Sequence, residues 1–75
     1  MDRIYEETLT FIQQFVAKHR YSPTVREIQE GLGLSSSSLA QNRLIYLRGA
    51  GFVEWDESKA RTLRLIEHAE ATEEE

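Results

Sequence analysis

Thr24-Val25-Arg26-Glu27 carries the T-x-x-E pattern of a capping box, in which the threonine oxygen accepts from a first-turn backbone N–H and the glutamate reaches back to the threonine amide. A helix starts there. Its apolar positions Val25, Ile28 and Leu32 fall on one face, and Gly33 is suited to the left-handed conformation that closes a helix after about two turns. Ser35-Ser36-Ser37-Ser38 then offers several hydroxyls able to cap. Leu39, Ala40, Leu44, Ile45 and Leu47 resume helical spacing up to Gly49-Ala50-Gly51, which predicts another helix over residues 37–49. Only three or four residues remain between the two helices, and that spacing is the geometry of a helix-turn-helix.

The flanking segments fit around this pair. Upstream, Tyr5, Leu9, Ile12, Phe15 and Val16 recur every three or four positions, which predicts a first helix over about residues 4–19. Lys18, His19 and Arg20 lie at its end, where the helix dipole favours cations, and Tyr21-Ser22-Pro23 stops it. Downstream, Phe52-Val53-Glu54-Trp55 is aromatic and β-branched, Asp56-Glu57-Ser58-Lys59 reads as a turn, and Arg61-Thr62-Leu63-Arg64-Leu65 alternates polar with apolar. The expected fold is α+β but mainly α: a three-helix winged helix-turn-helix whose C-terminal two-stranded β-hairpin is a wing with a basic tip. So short a hairpin is marginal alone and must pack on the helices.

With 75 residues the chain has room for one small domain, expected over residues 1–66. Such a chain hides only ~60% of its unfolded surface, so a large catalytic cleft is not expected. Phe11, Phe15, Phe52 and Trp55 are then read as packing groups before stacking platforms. The overall charge of −4 hides an asymmetry: residues 1–66 hold nine cations against eight carboxylates, whereas residues 67–75 hold five carboxylates and no Lys or Arg. That acidic tail lacks large apolar groups and is expected to be disordered, with a frayed helical extension as the alternative. The chain has no cysteine, which removes disulfides, thiolate zinc sites and thiol nucleophiles and suits a reducing compartment. No apolar run approaches the ~20 residues needed to cross a bilayer, and the N-terminus lacks a secretory pattern. A cytoplasmic protein without membrane partner is expected.

Catalytic and metal chemistry find no residues. His19 and His68 have no acids or hydroxyls at recognisable spacing, and with scattered carboxylates they make no ligand set. Gly31-Leu32-Gly33 opens like a dinucleotide fingerprint, but Ser36 stands at the third glycine position and a helix precedes it. We therefore expect a non-enzyme with no cofactor, metal or small-molecule substrate.

Nucleic-acid recognition is better supplied. Ser36, Ser37 and Ser38 stand where a helix N-terminus would offer hydroxyls and N–H groups to phosphate or bases, although serine also caps and turns for purely structural reasons. Gln41 and Asn42 have side chains that pair bidentately with adenine, and an exposed Leu39 suits a thymine methyl. A solvated polar face is the plain alternative, since any amphipathic helix has one. Arg26, Arg43, Arg48, Lys59, Arg61 and Arg64 are candidates for phosphate contact, with solubility as the plain alternative.

The segment Tyr21-Ser22-Pro23-Thr24-Val25-Arg26-Glu27-Ile28, followed by Leu32-Gly33-Leu34 and Ser36, resembles the Y-P-P-[ST]-x-R-E-I-x-x-x-[LV]-G-L-x-S segment of LexA repressors. The similarity continues through Leu44, Leu47 and Gly51-Phe52-Val53 to Lys59-Ala60-Arg61, Leu63 and Leu65, covering about residues 8–66. It implies a transcriptional repressor or regulator of bacterial or phage type, acting at the nucleoid. Its third helix would enter the major groove of an SOS-type operator while the wing meets the backbone. Carried over by position, Ser36, Ser38, Leu39, Gln41 and Asn42 are expected to read bases. Arg26, Ser37, Arg43, Lys59 and Arg61 are expected on the DNA backbone.

LexA proteins continue through an Ala-Gly cleavage site into a Ser/Lys peptidase and dimerisation domain. Nothing like it follows Leu65, so autocleavage is not expected, and the chain reads as a stand-alone or excised DNA-binding domain. With a body charge near +1 a single copy should bind double-stranded DNA loosely, which points to a homodimer on DNA. The contrasting expectation is a winged-helix docking module without DNA specificity, or one whose DNA binding the acidic tail modulates.

Overall fold

Three helices and a short antiparallel ribbon follow one another along the chain: α1 (Arg3–His19), α2 (Val25–Leu32), α3 (Ser37–Gly49), β1 (Val53–Glu54) and β2 (Arg64–Leu65). The computed structural model describes residues 2–66; the acidic tail and His68 lie outside the described residues. The fold is mainly helical, as expected, and no helix among the described residues is long and apolar enough to cross a membrane.

Each helix ends for a local reason. α1 stops at Arg20, which turns left-handed (φ 68°) and donates its N–H to the Val16 carbonyl. α2 opens with the full capping box: Glu27 N–H donates to Thr24 Oγ1 (3.1 Å), and Thr24 N–H donates to Glu27 Oε1 (2.9 Å). Gly33 closes α2 at φ 69°, a conformation that glycine adopts without a Cβ penalty. The turn into α3 is braced by Gln29 Nε2, which donates to the Leu34 carbonyl at 3.3 Å. Ser36 then caps α3 by accepting from the Leu39 N–H at 3.3 Å.

One core joins all five elements. Ile12 from α1, Ile28 from α2, and Ala40, Leu44 and Leu47 from α3 close on Val53 of β1 and Leu63 of the wing, all buried. Tyr5, Leu9, Phe11, Phe52 and Trp55 pack against this cluster half-buried. Phe15 lies beside them in a chain of rings with Phe11, His19 and Tyr21. Val16, counted on the apolar face of α1 by spacing, is exposed.

The ribbon is shorter than its alternation predicts. Val53 pairs with Leu65 and Glu54 with Arg64, and the Ile66 N–H to the Phe52 carbonyl (2.9 Å) extends the pairing. Residues 55–63 form a folded loop. Asp56 Oδ1 accepts from the Ser58 N–H and hydroxyl (3.0 and 2.7 Å), and the Thr62 hydroxyl accepts from the Asp56 N–H (2.8 Å). Arg61 adopts φ 57°, a left-handed turn that stops β2 from starting there and sends its side chain back toward α2.

The approach of α1 to α2 depends on a missing side chain. A Cβ at Gly31 would overlap the ring of Phe11, so that ring occupies the space a larger residue would need. Helix propensity alone favours Gly31→Ala by about 1 kcal/mol. Overpacking of a filled site costs about 1–3 kcal/mol, so the substitution is expected to destabilise. Urea denaturation of Gly31→Ala should show a lower midpoint, and adding Phe11→Leu should recover part of the loss.

Candidate nucleic-acid interface

The core fixes which face of α3 looks outward. Ala40, Leu44 and Leu47 point inward, and at about 100° per residue the opposite side of the helix carries Ser38, Asn42, Ile45 and Gly49. Ser38, Leu39 and Asn42 are exposed, with Ser37 beside them at the start of the helix. Gln41 is half-buried. It lies where α3 meets both α2 and the wing, in a cleft of about 430 Å³ that it shares with Thr24, Trp55 and Lys59. Ser37 and Gln41 also face Arg26, Gln29 and Glu30 across the groove between α2 and α3. The base-reading candidates therefore share the first turns of α3, with Ser38 and Asn42 on its outward face, Leu39 and Gln41 on its two flanks, and Ser36 tied to its capping role.

The cations are arranged differently from the expectation. Arg43 turns to α1, where its Nη1 donates to the Ile4 carbonyl (3.4 Å) and the buried Thr8 hydroxyl (3.3 Å). Arg61 is not at an outward basic tip. Its guanidinium makes a bidentate pair with Glu27, both bonds 2.9 Å, donates to the Ser22 carbonyl at 3.0 Å and lies 4.6 Å above the Tyr21 ring. Both are drawn inward because each finds several acceptors at once, whereas an isolated surface arginine finds only water. Arg26 remains largely exposed on α2, paired one turn on with Glu30 at 3.3 Å. Lys59 is exposed in the wing loop.

A second arginine repeats the Arg61 arrangement between the wing and α3. Arg48, in the last turn of α3, pairs with Glu57 of the wing loop at 2.8 Å and lies 4.5 Å above the Trp55 ring. The wing is thus held to α2 by Arg61 between Glu27 and Tyr21, and to α3 by Arg48 between Glu57 and Trp55. Arg64 and Glu54, directly paired across the ribbon, add a contact of 2.7 Å. Spacing had marked Glu27 only as a cap, since nothing local in the sequence joins residues 27 and 61. Ile45, counted by spacing among the apolar positions of α3, is left outside the core.

Three helices, a tight turn between the second and third, and a braced hairpin folded beside an exposed helix face define a winged helix-turn-helix. The chain belongs to the LexA DNA binding domain family, whose model matches residues 3–62. It is 37% identical over 70 residues to the LexA repressor of Geobacillus kaustophilus, covering 93% of this chain and 34% of that protein. It is 39% identical over 61 residues to the LexA repressor of Shouchella clausii, covering 81% and 29%. With the transcription regulator LexA of Synechocystis sp. the identity is 30% over 66 residues, covering 88% and 32%. The chain spans about a third of the length of these relatives.

Glu27 ties the wing to α2 through a titratable group. Its two bonds to Arg61, joined by the Thr24 backbone N–H, hold the carboxyl down to about 2 from 4.5. A carboxyl whose pKa is lower in the folded chain stabilises it fully above the unfolded value, and that contribution fades as pH falls toward the folded one. The stability difference between wild type and Glu27→Gln, followed by thermal melts, should be constant near neutrality, narrow below about pH 4.5 and close near pH 2. The same protonation should release Arg61 and loosen the wing.

Proposed function

We propose that this chain binds double-stranded DNA with sequence preference and acts as a LexA-like transcriptional repressor or regulator, by binding and not by catalysis. α3 lies in the major groove and the wing meets the neighbouring backbone. Ser36, Ser38, Leu39, Gln41 and Asn42 face the base edges. Ser37, Arg26 and Lys59 take phosphates, while Arg43 and Arg61 act on the backbone contact through the placement of α1 and the wing. The observation that carries this reading is the exposed, uncharged hydrogen-bonding face of α3, set at the start of a helix in a chain of this family. Such a helix usually presents its first turns to the bases, and Gln and Asn match the paired donor and acceptor of adenine.

With nine cations against eight carboxylates in residues 1–66, phosphate attraction alone is weak. Useful affinity then comes from two copies engaging two half-sites together, so the DNA-bound species is a homodimer.

Selection from a random duplex pool tests the reading directly. Wild type should enrich one sequence family. In that enriched duplex Gln41→Ala or Asn42→Ala should cost about 1–3 kcal/mol and relax the preference at one position, as loss of a bidentate base contact does. Arg26→Ala should weaken binding on all duplexes alike with a shallower salt slope. A pool that stays random at low salt defeats the proposal and leaves protein docking as the function of this face.

A further inference from the structure

Ile45 is the most exposed large apolar residue among the described residues, at 52%. It belongs neither to the buried cluster nor to the half-buried residues packed on it. On the helix it follows Ser38 and Asn42 along the face turned away from Ala40, Leu44 and Leu47, with Gln41 one turn earlier on the flank. The next turn of that face is Gly49, where nothing lies within 4 Å of the missing Cβ. The isoleucine methyls therefore end a polar stripe and stand next to open space.

Stability gives no reason for that residue there. An exposed β-branched side chain is a weaker helix former than Gln, Lys or Ala, and with half its surface in water it gains little from burial. In the major groove, one base edge is apolar: the C5 methyl of thymine. A branched aliphatic group beside Gln and Asn on the same helical face has the chemistry to select it.

We infer that Ile45 is a specificity-determining residue that recognises a thymine methyl in the major groove, an inference that rests on the DNA-binding reading above. It acts separately from Leu39, which stands six residues earlier. At 1.5 Å per residue the two positions are about 9 Å apart along the helix, or roughly two to three base-pair steps.

Replacing single thymines by uracil tests this, because uracil keeps every hydrogen-bonding group and removes only the methyl. The duplex enriched by wild type from the random pool is the probe, and its thymines are exchanged one at a time. At one thymine the exchange should weaken wild type about 3–10-fold and leave Ile45→Ala unaffected, while Ile45→Val keeps part of the discrimination. A thymine sensitive to Leu39→Ala should be a different one, two to three steps away. Circular dichroism of Ile45→Ala should match wild type, since the side chain lies outside the core cluster.

Three results overturn the inference while leaving DNA binding in place. They are an enriched site without thymine, uracil exchanges that affect wild type and Ile45→Ala equally, and an Ile45→Ala loss that appears as altered self-association with no base dependence. A pool with no enriched sequence removes the inference and the DNA-binding reading together.

Discussion

The Glu27 carboxylate joins two parts of the chain that are far apart in sequence, the start of α2 and the wing. One oxygen accepts from the Thr24 N–H at the start of α2, and both accept from Arg61 in the wing. A ribbon with two residues per strand cannot hold its own geometry, since isolated hairpins are marginal even when longer. Its position must come from what it leans on. Val53 and Leu63 supply the apolar part by entering the core. Apolar contact is non-directional, however, and the bidentate geometry at Glu27 supplies the direction. Because the same carboxylate completes the capping box, the start of the helix-turn-helix and the wing are set by one group.

Arg48 does the corresponding work at the other flank. Both braces place a guanidinium between a carboxylate and an aromatic ring, which suits the flat, delocalised charge of arginine and would suit lysine poorly. An exposed ion pair alone contributes about 0–1 kcal/mol, so neither brace is a large source of stability. Their effect is on geometry. Together they hold the wing to α2 through Arg61 and to α3 through Arg48.

What the sequence made legible follows from how local each cause is. The ends of α2 and α3 are written in short-range chemistry: Thr24 with Glu27, Gly33 at positive φ, Ser36 ahead of its helix. The inward face of α3 follows from helical spacing alone, and with it the exposure of Ser38, Leu39 and Asn42. The arginines were harder, because charge patterning along a chain does not say which carboxylate a long side chain will meet. Glu27 and Arg61 are 34 residues apart, and Arg43 reaches 39 residues back to Ile4. Ile45 lies outside the core for a different reason. It follows Leu44 directly, and one residue turns the helix by about 100°, which carries its side chain from the covered stripe to the opposite face.

The arrangement of charge bears on how such a surface discriminates. Arg26, Arg48, Arg61 and Arg64 are each matched by a carboxylate, and Arg43 is spent on α1. A phosphate approaching these groups competes with a carboxylate already in place, so the sequence-independent part of duplex affinity is held low. Base contacts through Ser, Gln, Asn and apolar side chains are not weakened by this, because they involve no net charge. Reducing the shared electrostatic term while keeping the base-dependent one lowers affinity for every duplex but leaves the difference between right and wrong sequences intact. Where competing sites vastly outnumber correct ones, that difference decides occupancy. In the proposed reading, the near-neutral body suits a selective reader that takes strength from a second copy and choice from α3.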